Sequence, residues 1–468
     1  METIPLPPEF KQGKLVKRTE SICPSCLQKI DADVYARDGQ VWMDKECAEH
    51  GHFSALLSND IQTYLVSAAV KNRGASGCGC ESGGCGAPVS KDSAVDNHSC
   101  TLMVEITQKC NLTCPTCYAA SSPQNDDFLR LDKYRELLDT LREKEHGDAD
   151  VLQISGGEPT LHPDMLEMVD IAYEKGFKQV YVNTNGIKLS QRKYAETLAA
   201  SKNPIYIYLQ FDGLDSKTYA ALRGSERLSD VKQRALKNCE DLGIEAIPIM
   251  TLTKGINDSE VEAFLNVALS SSAVNKVMIQ PAMYSGRYVN PRRLDRLTAS
   301  DTIDLIVEQS GVFTKEDFTP IPCGDPNCFR MALAIRTESG LVPVSRYFPT
   351  YDQWQDEFVA KELESVSDTF DNAEGLSSML AWSVEHGAIS KLEEDKIDEL
   401  LEAVALASIG KGSAGWRGLF AIGIKPFMDA YTYDQDRIDD CCAHIASQDG
   451  EPISFCQYNA INRAKGEL

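Results

Sequence analysis

Three cysteines stand close together in residues 110–118, which read Cys-Asn-Leu-Thr-Cys-Pro-Thr-Cys-Tyr. Cys110, Cys114 and Cys117 are separated by three and then two residues, so one short loop can place three thiolates around a cubane iron–sulfur cluster. So short a loop leaves the fourth iron without a protein ligand, and an open iron can bind and reduce a small molecule. A zinc knuckle or chance clustering is the alternative explanation.

A second group of possible metal ligands lies near the N-terminus. Its members are Cys23, Cys26, Cys47, His50 and His52. Residues 34–42 between them predict a β-hairpin over an Asp-Gly turn. Three cysteines and one histidine form a closed tetrahedral site for zinc or a single iron. The spacing favours His50 as the fourth ligand, with His52 as the alternative, and a hairpin with unrelated cysteines would need no metal.

A glycine-rich stretch, residues 73–100, contains four more cysteines, namely Cys78, Cys80, Cys85 and Cys100. Four thiols are enough to close an auxiliary iron–sulfur cluster, and the glycines allow the backbone to fold tightly around it. The same composition is also typical of a flexible linker, which is the competing interpretation.

The C-terminal third contains two further cysteine groups beside predicted turns. They are Cys323 with Cys328, and the Cys441-Cys442 pair with Cys456. Together they predict a second closed site. Cys239 stands alone in a helical stretch, and we expect it to be a buried structural cysteine.

Short apolar runs alternate with amphipathic stretches between residues 101 and 300, which predicts a parallel sheet built from six strand–helix units. The expected strands are Leu102–Ile106, Val151–Ile154, Gln179–Asn183, Ile205–Phe211, Glu245–Leu252 and Lys276–Gln280, and the expected helices include Leu129–Lys144 and Asp164–Glu174. Six such units suit a partial barrel with ligands at the carboxyl ends of its strands. Beyond residue 300 we expect a hairpin of Leu333–Arg336 with Val342–Ser345, and helices over about 360–407.

The length, charge and cysteine content of the chain exclude some classes of protein and favour others. Its 468 residues should form two or three domains, and a net charge of −23 argues against non-specific nucleic-acid binding. We find no signal peptide and no run of 18 apolar residues, so we expect a cytoplasmic protein without a transmembrane segment. In a reducing compartment, 16 cysteines indicate metal ligands rather than disulfides.

The cysteine loop and the segments after the later strands resemble the radical S-adenosylmethionine (SAM) superfamily. The resemblance implies that Tyr118 lies beside the adenine of SAM. It also implies that Gly156, Gly157 and Glu158 lie at the amino group of its methionine moiety. The positions matching the ribose and the carboxylate are Gln210, Asp212 and Arg223. From the residues alone, Asp212 could instead belong to a plain turn and Arg223 to the surface, and Asn183 and Asn185 are further polar candidates.

The rest of the chain resembles one branch of that superfamily, which includes tetraether lipid synthases and dihydropterin methyltransferases. The shared features are the N-terminal Cys-x2-Cys and Cys-x2-His-Gly, the Cys323–Cys328 segment, Phe427-Met428-Asp429, Arg437 and the final Phe455-Cys456-Gln457-Tyr458-Asn459. The branch favours Cys442 over Cys441 as a cluster ligand. This chain departs from the branch at 78–85, where Cys-x-Cys-x4-Cys replaces a compact Cys-x3-Cys-x2-Cys.

The expected organisation is an α/β protein with four regions. Residues 1–72 form the metal knuckle, 73–100 an auxiliary cluster segment, 101–300 a partial (β/α)6 TIM-like barrel, and 301–468 an auxiliary iron–sulfur domain. The resemblance implies three [4Fe-4S] clusters, SAM, one mononuclear zinc or iron, and an electron donor such as flavodoxin or ferredoxin.

Three functions remain open from the sequence. We expect radical carbon–carbon coupling of lipid tails first, with transient membrane contact. Radical methylation of a small ring such as a dihydropterin is the alternative, and a non-catalytic iron–sulfur scaffold is the third possibility. A lipid site needs a long apolar tunnel and a pterin site a compact polar pocket. The apolar stretch 413–428 could line a tunnel, although a buried helix or strand explains it better.

Overall fold

The computed structural model describes residues 13–72, 99–145, 149–288, 295–321, 324–337, 340–347 and 419–466. The predicted helices of 360–407, and Cys78, Cys80, Cys85 and Cys323, lie outside the described residues. Within the described ranges, no helix is both long enough and apolar enough to cross a membrane.

The N-terminal part is a four-stranded antiparallel sheet followed by a helix. Its elements are β1 (Lys14–Ile22), β2 (Lys29–Arg37), β3 (Gln40–Cys47), β4 (Gly51–Ser58) and α1 (Ile61–Asn72). Asp38 and Gly39 join β2 to β3 with φ angles of 52° and 79°, the left-handed values that a two-residue hairpin turn requires. The predicted hairpin is therefore confirmed.

A parallel sheet forms the centre of the molecule. Its strands are β5 (Thr101–Glu105), β6 (Val151–Ser155), β7 (Gln179–Thr184), β8 (Tyr206–Gln210), β9 (Ala246–Leu252) and β10 (Lys276–Pro281). They lie side by side in chain order and all pair in parallel. All six predicted strands are present, with ends that differ by a single residue.

Helices connect these strands and bury their apolar faces on the sheet. They are α2 (Leu131–Lys144), α3 (Met165–Glu174), α4 (Arg192–Ala199), α5 (Ser216–Arg223), α6 (Leu228–Leu242) and α7 (Val261–Ser270). In α2 the buried residues Tyr134, Leu138 and Leu141 are spaced by four and three positions, as expected for one face of a helix. Cys239 of α6 is fully buried in the same core, as predicted.

The C-terminal region extends both edges of this sheet. Its elements are α8 (Ala299–Ser310), β11 (Thr319–Pro320), β12 (Arg330–Thr337), β13 (Gly340–Pro343), β14 (Leu419–Ile424), α9 (Gln435–Asp439), β15 (Ala443–Ala446) and β16 (Pro452–Ser454). Strand β14 pairs with β10, and β15 pairs with β5 at the opposite edge. The result is a 12-stranded sheet. The sheet therefore continues past residue 300, where the sequence suggested a domain boundary.

Two predictions from the sequence concern this region, a hairpin and an apolar stretch. The predicted hairpin exists as β12 paired with β13, but Val344–Tyr347 forms a 3-10 turn rather than a continuation of the second strand. Residues 419–424 of the apolar stretch form β14, flanked by β10 and β12, so burial in a sheet explains their composition. The chain ends in short helical segments from Phe455 to Lys465.

Candidate active site

The cysteine motif forms the loop after β5, at the carboxyl edge of the sheet. The loop is held closed, since the Cys110 N–H donates to the Ser122 carbonyl at 3.1 Å and the Cys117 N–H to the Cys114 carbonyl at 3.2 Å. Cys110, Cys114 and Cys117 all line one cavity of about 250 Å³, together with Tyr118. The structure thus brings three thiols to one side of a cavity.

Burial disfavours the ionised form of two of these thiols in the protein alone. Burial raises the pKa of Cys110 to about 12 and also raises that of Cys114, where the charge of Arg223 partly opposes the shift. Burial alone therefore disfavours the thiolates, and bound iron would supply the positive charge that stabilises them. The residues fit a cluster with three cysteine ligands and one open iron.

Gly156 and Gly157 must be glycines because their backbone packs directly against this loop. A Cβ added to Gly156 would lie 2.1 Å from the Thr107 carbonyl oxygen, and one added to Gly157 would lie 2.3 Å from the Lys109 carbonyl oxygen. The Gly157 N–H donates to the Thr107 carbonyl at 2.7 Å. Close backbone approach is therefore needed at these positions, to seat the cysteine loop as well as to line the cavity.

Glu158 bonds to neighbouring protein groups, and its expected place beside SAM stays a prediction. It is buried, and its carboxylate accepts from the Asn185 N–H at 2.7 Å, the Thr184 hydroxyl at 2.7 Å and the Thr160 N–H at 3.2 Å. It therefore ties the end of β7 to the end of β6. Asn185 in turn donates to Asn111 in the cysteine loop at 2.7 Å. In this structure Glu158 is a positioning residue.

Asp212 and Gln210 also bond to neighbouring protein groups. The Asp212 carboxylate accepts from Arg223 Nε at 2.6 Å, from Arg223 at a second nitrogen at 2.8 Å, and from the Thr251 N–H at 3.1 Å. Gln210 donates to the same carboxylate. Although burial opposes it, the charge of Asp212 raises the pKa of Arg223. Asp212 thus orients Arg223 through a bidentate ion pair, and its expected contact with the ribose stays a prediction.

Arg223 itself lines the cavity, as does Gln210. A guanidinium held in this way is preorganised to bind a carboxylate. The structure therefore places a fixed positive charge on the side of the cavity where the cysteine loop lies. Gln210 also lies at the cavity wall. Its amide is already hydrogen-bonded to neighbouring side chains.

Lys232 is a functional candidate that the motif analysis missed. It is fully buried in α6, and its ammonium donates to the Asn185 carbonyl and to Gln210 Oε1. Burial lowers its pKa to about 8, with the charge of Asp212 opposing the shift. It therefore joins the ends of β7 and β8 behind the cavity. The sequence did carry a signal, because Lys232 interrupts the buried stripe of α6 at helical spacing.

Arg287 is a second residue that the sequence did not reveal. Its guanidinium donates to three carbonyls of the cysteine loop, at Cys114 (3.0 Å), Ala120 (2.7 Å) and Ser121 (2.6 Å). The adjacent Gly286 has a φ of +60° and leaves no room for a Cβ against the Tyr118 carbonyl. The segment after β10 thus closes over the cysteine loop and fixes its shape.

The cavity wall beyond the cysteines combines amide and aromatic side chains. It includes Gln153, Asn183, Gln280, Tyr208, Phe427 and Phe455. The rings of Phe427 and Phe455 lie 4.4 Å apart between centroids, and Phe455 meets Tyr118 edge to face at 5.5 Å. This wall can bind a flat molecule through stacking and hydrogen bonds.

The N-terminal ligands converge on one point. One ligand atom from each of Cys23, Cys26, Cys47 and His50 lies within 4.8 Å of the others. His50 Nδ1 is 3.4 Å from the Cys47 sulfur and 3.7 Å from the Cys23 sulfur. His52 instead faces Asp44 and Glu46 and is 59% exposed. The geometry is that of a closed four-ligand metal site.

The N-terminal sheet is bound to the C-terminal region through several buried contacts. Lys17 pairs with Asp434 at 2.7 Å, and the Ser21 hydroxyl donates to the Tyr433 carbonyl at 2.5 Å. Lys45 is buried and donates to the Ala430 carbonyl at 2.7 Å. The N-terminal sheet therefore braces the segment that precedes the C-terminal cysteines.

The C-terminal cysteines are only partly described. Arg437 donates to the Cys328 sulfur at 3.3 Å, and the Met428 N–H donates to the Cys456 sulfur at 3.3 Å. Burial raises the pKa of Cys328 to about 11 and of Cys456 to about 12, and the charge of Cys441 contributes to both shifts. Cys441 is thus close enough to influence these two sulfurs, and the preference for Cys442 as the ligand stays a prediction.

Cys442 lies beside the start of β5, and Cys100, just before that strand, is disulfide-bonded in this structure, whereas the sequence predicted a metal ligand there. The N–H of Thr101, the residue after Cys100, donates to the Cys442 carbonyl at 3.2 Å. The Cys442 sulfur lies 3.4 Å from the position of a Cβ on Gly324, the residue after Cys323. This places the sequence neighbours of Cys100 and Cys323 beside Cys442.

Comparison with known proteins identifies the family. A model described as the radical SAM superfamily matches residues 104–268, the stretch that carries the cysteine loop, the paired glycines and Arg223. The chain belongs to the radical SAM superfamily. A second model, the HMPTM N-terminal zinc ribbon domain, matches residues 15–59, which contain all four N-terminal ligands. This radical SAM enzyme therefore carries an N-terminal zinc ribbon.

Similarity to one curated relative extends over nearly the whole chain. The 7,8-dihydro-6-hydroxymethylpterin dimethyltransferase of Methanocaldococcus jannaschii is 28% identical, over 96% of this chain and 95% of the relative. The Fe-coproporphyrin III synthase of Methanosarcina barkeri is 29% identical over 46% of this chain and 52% of its own length. Among solved structures, Streptococcus suis SuiB matches 45% of this chain and 46% of its own, with 18% identity and a TM-score of 0.38.

Proposed function

We propose that this radical SAM enzyme methylates a small heterocyclic ring, and that a reduced pterin is its substrate class. The observation that carries the proposal is the cavity beside Cys110, Cys114 and Cys117, which is compact and walled by amides and aromatic rings. The full-length similarity to a protein named as a dihydropterin dimethyltransferase supports the same chemistry. The net change would replace a ring C–H bond by a C–CH3 bond. One SAM and one electron would give methionine and the 5′-deoxyadenosyl radical, which takes the ring hydrogen and becomes 5′-deoxyadenosine. A second SAM would give its methyl group to the ring and, with a second electron, leave as S-adenosylhomocysteine.

The chain's own residues would prepare the cavity for this reaction. Bound at the three cysteines, the [4Fe-4S] cluster would supply the electron that cleaves SAM reductively. Arg223, held by Asp212, offers a fixed cation for the cofactor's carboxylate. Arg287 keeps the cysteine loop in one shape. The Phe427–Phe455 pair covers the apolar side of the cavity and limits water there.

Lipid-tail coupling, which the sequence analysis ranked first, has no support from the comparisons or from the described cavity. A volume of about 250 Å³ with amide groups along its wall does not provide an apolar tunnel within the described residues. The scaffold interpretation is also set aside, because the superfamily match and the methyltransferase relative identify an enzyme. Ring methylation thus replaces coupling as the preferred reaction.

The decisive experiment is a product assay on anaerobically reconstituted enzyme with a reductant and SAM. The substrates are 7,8-dihydro-6-hydroxymethylpterin and an archaeal lipid extract, and products are analysed by mass spectrometry. We expect methylated pterin, whose mass shifts with label in the methyl donor, and 5′-deoxyadenosine in step with it. Coupled lipid without methylated pterin would overturn the proposal.

We also propose two auxiliary clusters besides the core cluster. One would use the cysteines from 78 to 100, and the other Cys323, Cys328 and Cys456 with one of Cys441 and Cys442. The proximity of Cys441 to Cys328 and Cys456 supports the second set. Three cubanes predict about twelve irons per chain, or about thirteen if the ribbon holds iron. About four irons with full SAM cleavage would show that the auxiliary cysteines bind no cluster.

The external electron donor is proposed as flavodoxin or ferredoxin. Both are one-electron carriers of the kind that reductive cleavage of SAM requires. Stimulation of 5′-deoxyadenosine formation by either protein, in place of a chemical reductant, would test this assignment.

A further inference from the structure

Three amide side chains form a row below the place where the cofactor residues lie. Gln153, Asn183 and Gln280 belong to β6, β7 and β10, and all three line the cavity. Each stands inside its strand rather than in the loop beyond it. The row therefore lies deeper in the sheet than Gly156 or Asn185.

The hydrogen bonds of this row are incomplete. Asn183 Nδ2 donates to Gln153 Oε1 at 3.3 Å and to the Ser155 hydroxyl at 3.2 Å. Asn183 Oδ1 is buried and has no hydrogen-bond partner among the described residues. A buried acceptor without a donor is uncommon in native proteins. A donor on a bound molecule would satisfy it.

Gln280 connects the row to an aromatic side chain. Its amide donates to the Tyr208 hydroxyl at 3.3 Å, and Tyr208 stands opposite Asn183 in the β7–β8 register. The wall therefore offers donors and acceptors next to a ring. Amides can do both at once, which suits a substrate edge with adjacent donors and acceptors.

We propose that Gln153, Asn183 and Gln280 recognise the hydrogen-bonding edge of a pyrimidinone-type ring and so determine substrate specificity. This inference rests on the proposed function. It adds which part of the substrate the enzyme recognises. Polar groups built to bond a substrate reject an analogue that cannot reproduce those bonds, because they are then left unpaired. An apolar substrate would leave the whole row unsatisfied.

The test compares binding of two rings to the anaerobic holoenzyme. The probes are 7,8-dihydro-6-hydroxymethylpterin and its lumazine counterpart, in which an oxo group replaces the 2-amino group. We expect the wild type to prefer the pterin by at least about tenfold. Asn183→Leu and Gln280→Leu should each weaken pterin binding and bring the two affinities to within about threefold.

Asn275→Leu is the matched control. Asn275 is a buried amide just before β10, it also has an unpartnered Oδ1 among the described residues, and it is not part of the cavity wall. This variant should keep the wild-type preference. Thermal midpoint and iron content should match the wild type in all three variants, which checks that the fold and the core cluster are intact.

The outcomes separate this inference from the proposed function. Methylation of the pterin with an unchanged pterin-to-lumazine ratio in Asn183→Leu and Gln280→Leu would overturn the amide row alone. Binding that depends on the row, without any methylation, would overturn the proposed reaction alone. Absence of pterin binding to the wild type would overturn both.

Discussion

The zinc ribbon and the core loop both use cysteine, but they present it differently. In the ribbon, Cys23, Cys26, Cys47 and His50 lie within 4.8 Å of one another and surround a single point. In the core, three cysteines lie along one side of a cavity and leave the other side to a ligand. Four converging ligands complete a coordination sphere, whereas three leave a position open.

The difference shows why one site stabilises the fold and the other can react. A closed site has no position for substrate or water, so its metal contributes to folding. The ribbon adds buried contacts to the segment 430–434, which extends that role to the C-terminal region. The core loop is instead held from outside by Arg287. The following predictions test this contrast, from the largest expected effect on turnover to the smallest.

Replacing Cys110, Cys114 and Cys117 together by Ala should abolish SAM cleavage, because no ligand would remain for the cluster. The measurement is 5′-deoxyadenosine formation by anaerobically reconstituted protein. Cys239→Ala is the control, since Cys239 is buried in the core on α6 and does not line the cavity of the three cysteines. Undiminished cleavage by the triple variant would refute the core assignment.

Arg223→Met should raise the KM for SAM by about 10- to 100-fold, the value of one charged hydrogen-bonding group. The maximal rate should change less, because the variant removes binding more than chemistry. Arg227→Met, an exposed site four residues later, is the control. Arg223→Lys should recover part of the loss. A lowered rate at saturating SAM with an unchanged KM would contradict a carboxylate-binding role.

Lys232→Met should raise the KM for SAM by about 3- to 10-fold, because the ends of β7 and β8 lose the donor that joins them. Lys188→Met is the matched control, since Lys188 also donates to a backbone carbonyl nearby, at Thr160. Equal effects of the two substitutions would show that Lys232 has no special part in shaping the cavity.

Cys26→Ser should lower the thermal midpoint by about 5 °C or more, or expose residues 20–60 to protease, because the closed site loses a ligand. Turnover per folded molecule should remain near wild type. His50→Ala should destabilise the ribbon more than His52→Ala, whose side chain lies outside the ligand group. Wild-type stability combined with lost turnover would place this metal in the reaction or its electron path.

Much of the fold could be predicted because its signals are local. The six parallel strands and the Asp38-Gly39 hairpin follow from short apolar runs and turn residues. The pairing of β14 with β10 and of β15 with β5 could not be predicted, because those partners are far apart in sequence. A short strand gives no sign of which sheet edge will receive it.

The candidate site also has parts that the sequence predicts and parts that only the tertiary structure determines. Spacing alone identified the three core cysteines and the ribbon ligands, since chelation by nearby residues is a property of a short loop. Only the tertiary structure shows that Glu158 accepts from Asn185 and that Asp212 pairs with Arg223. It also brought Lys232 and Arg287 to the cavity region. A carboxylate or a cation bonds to the groups that burial brings beside it, and only the folded chain decides which groups those are.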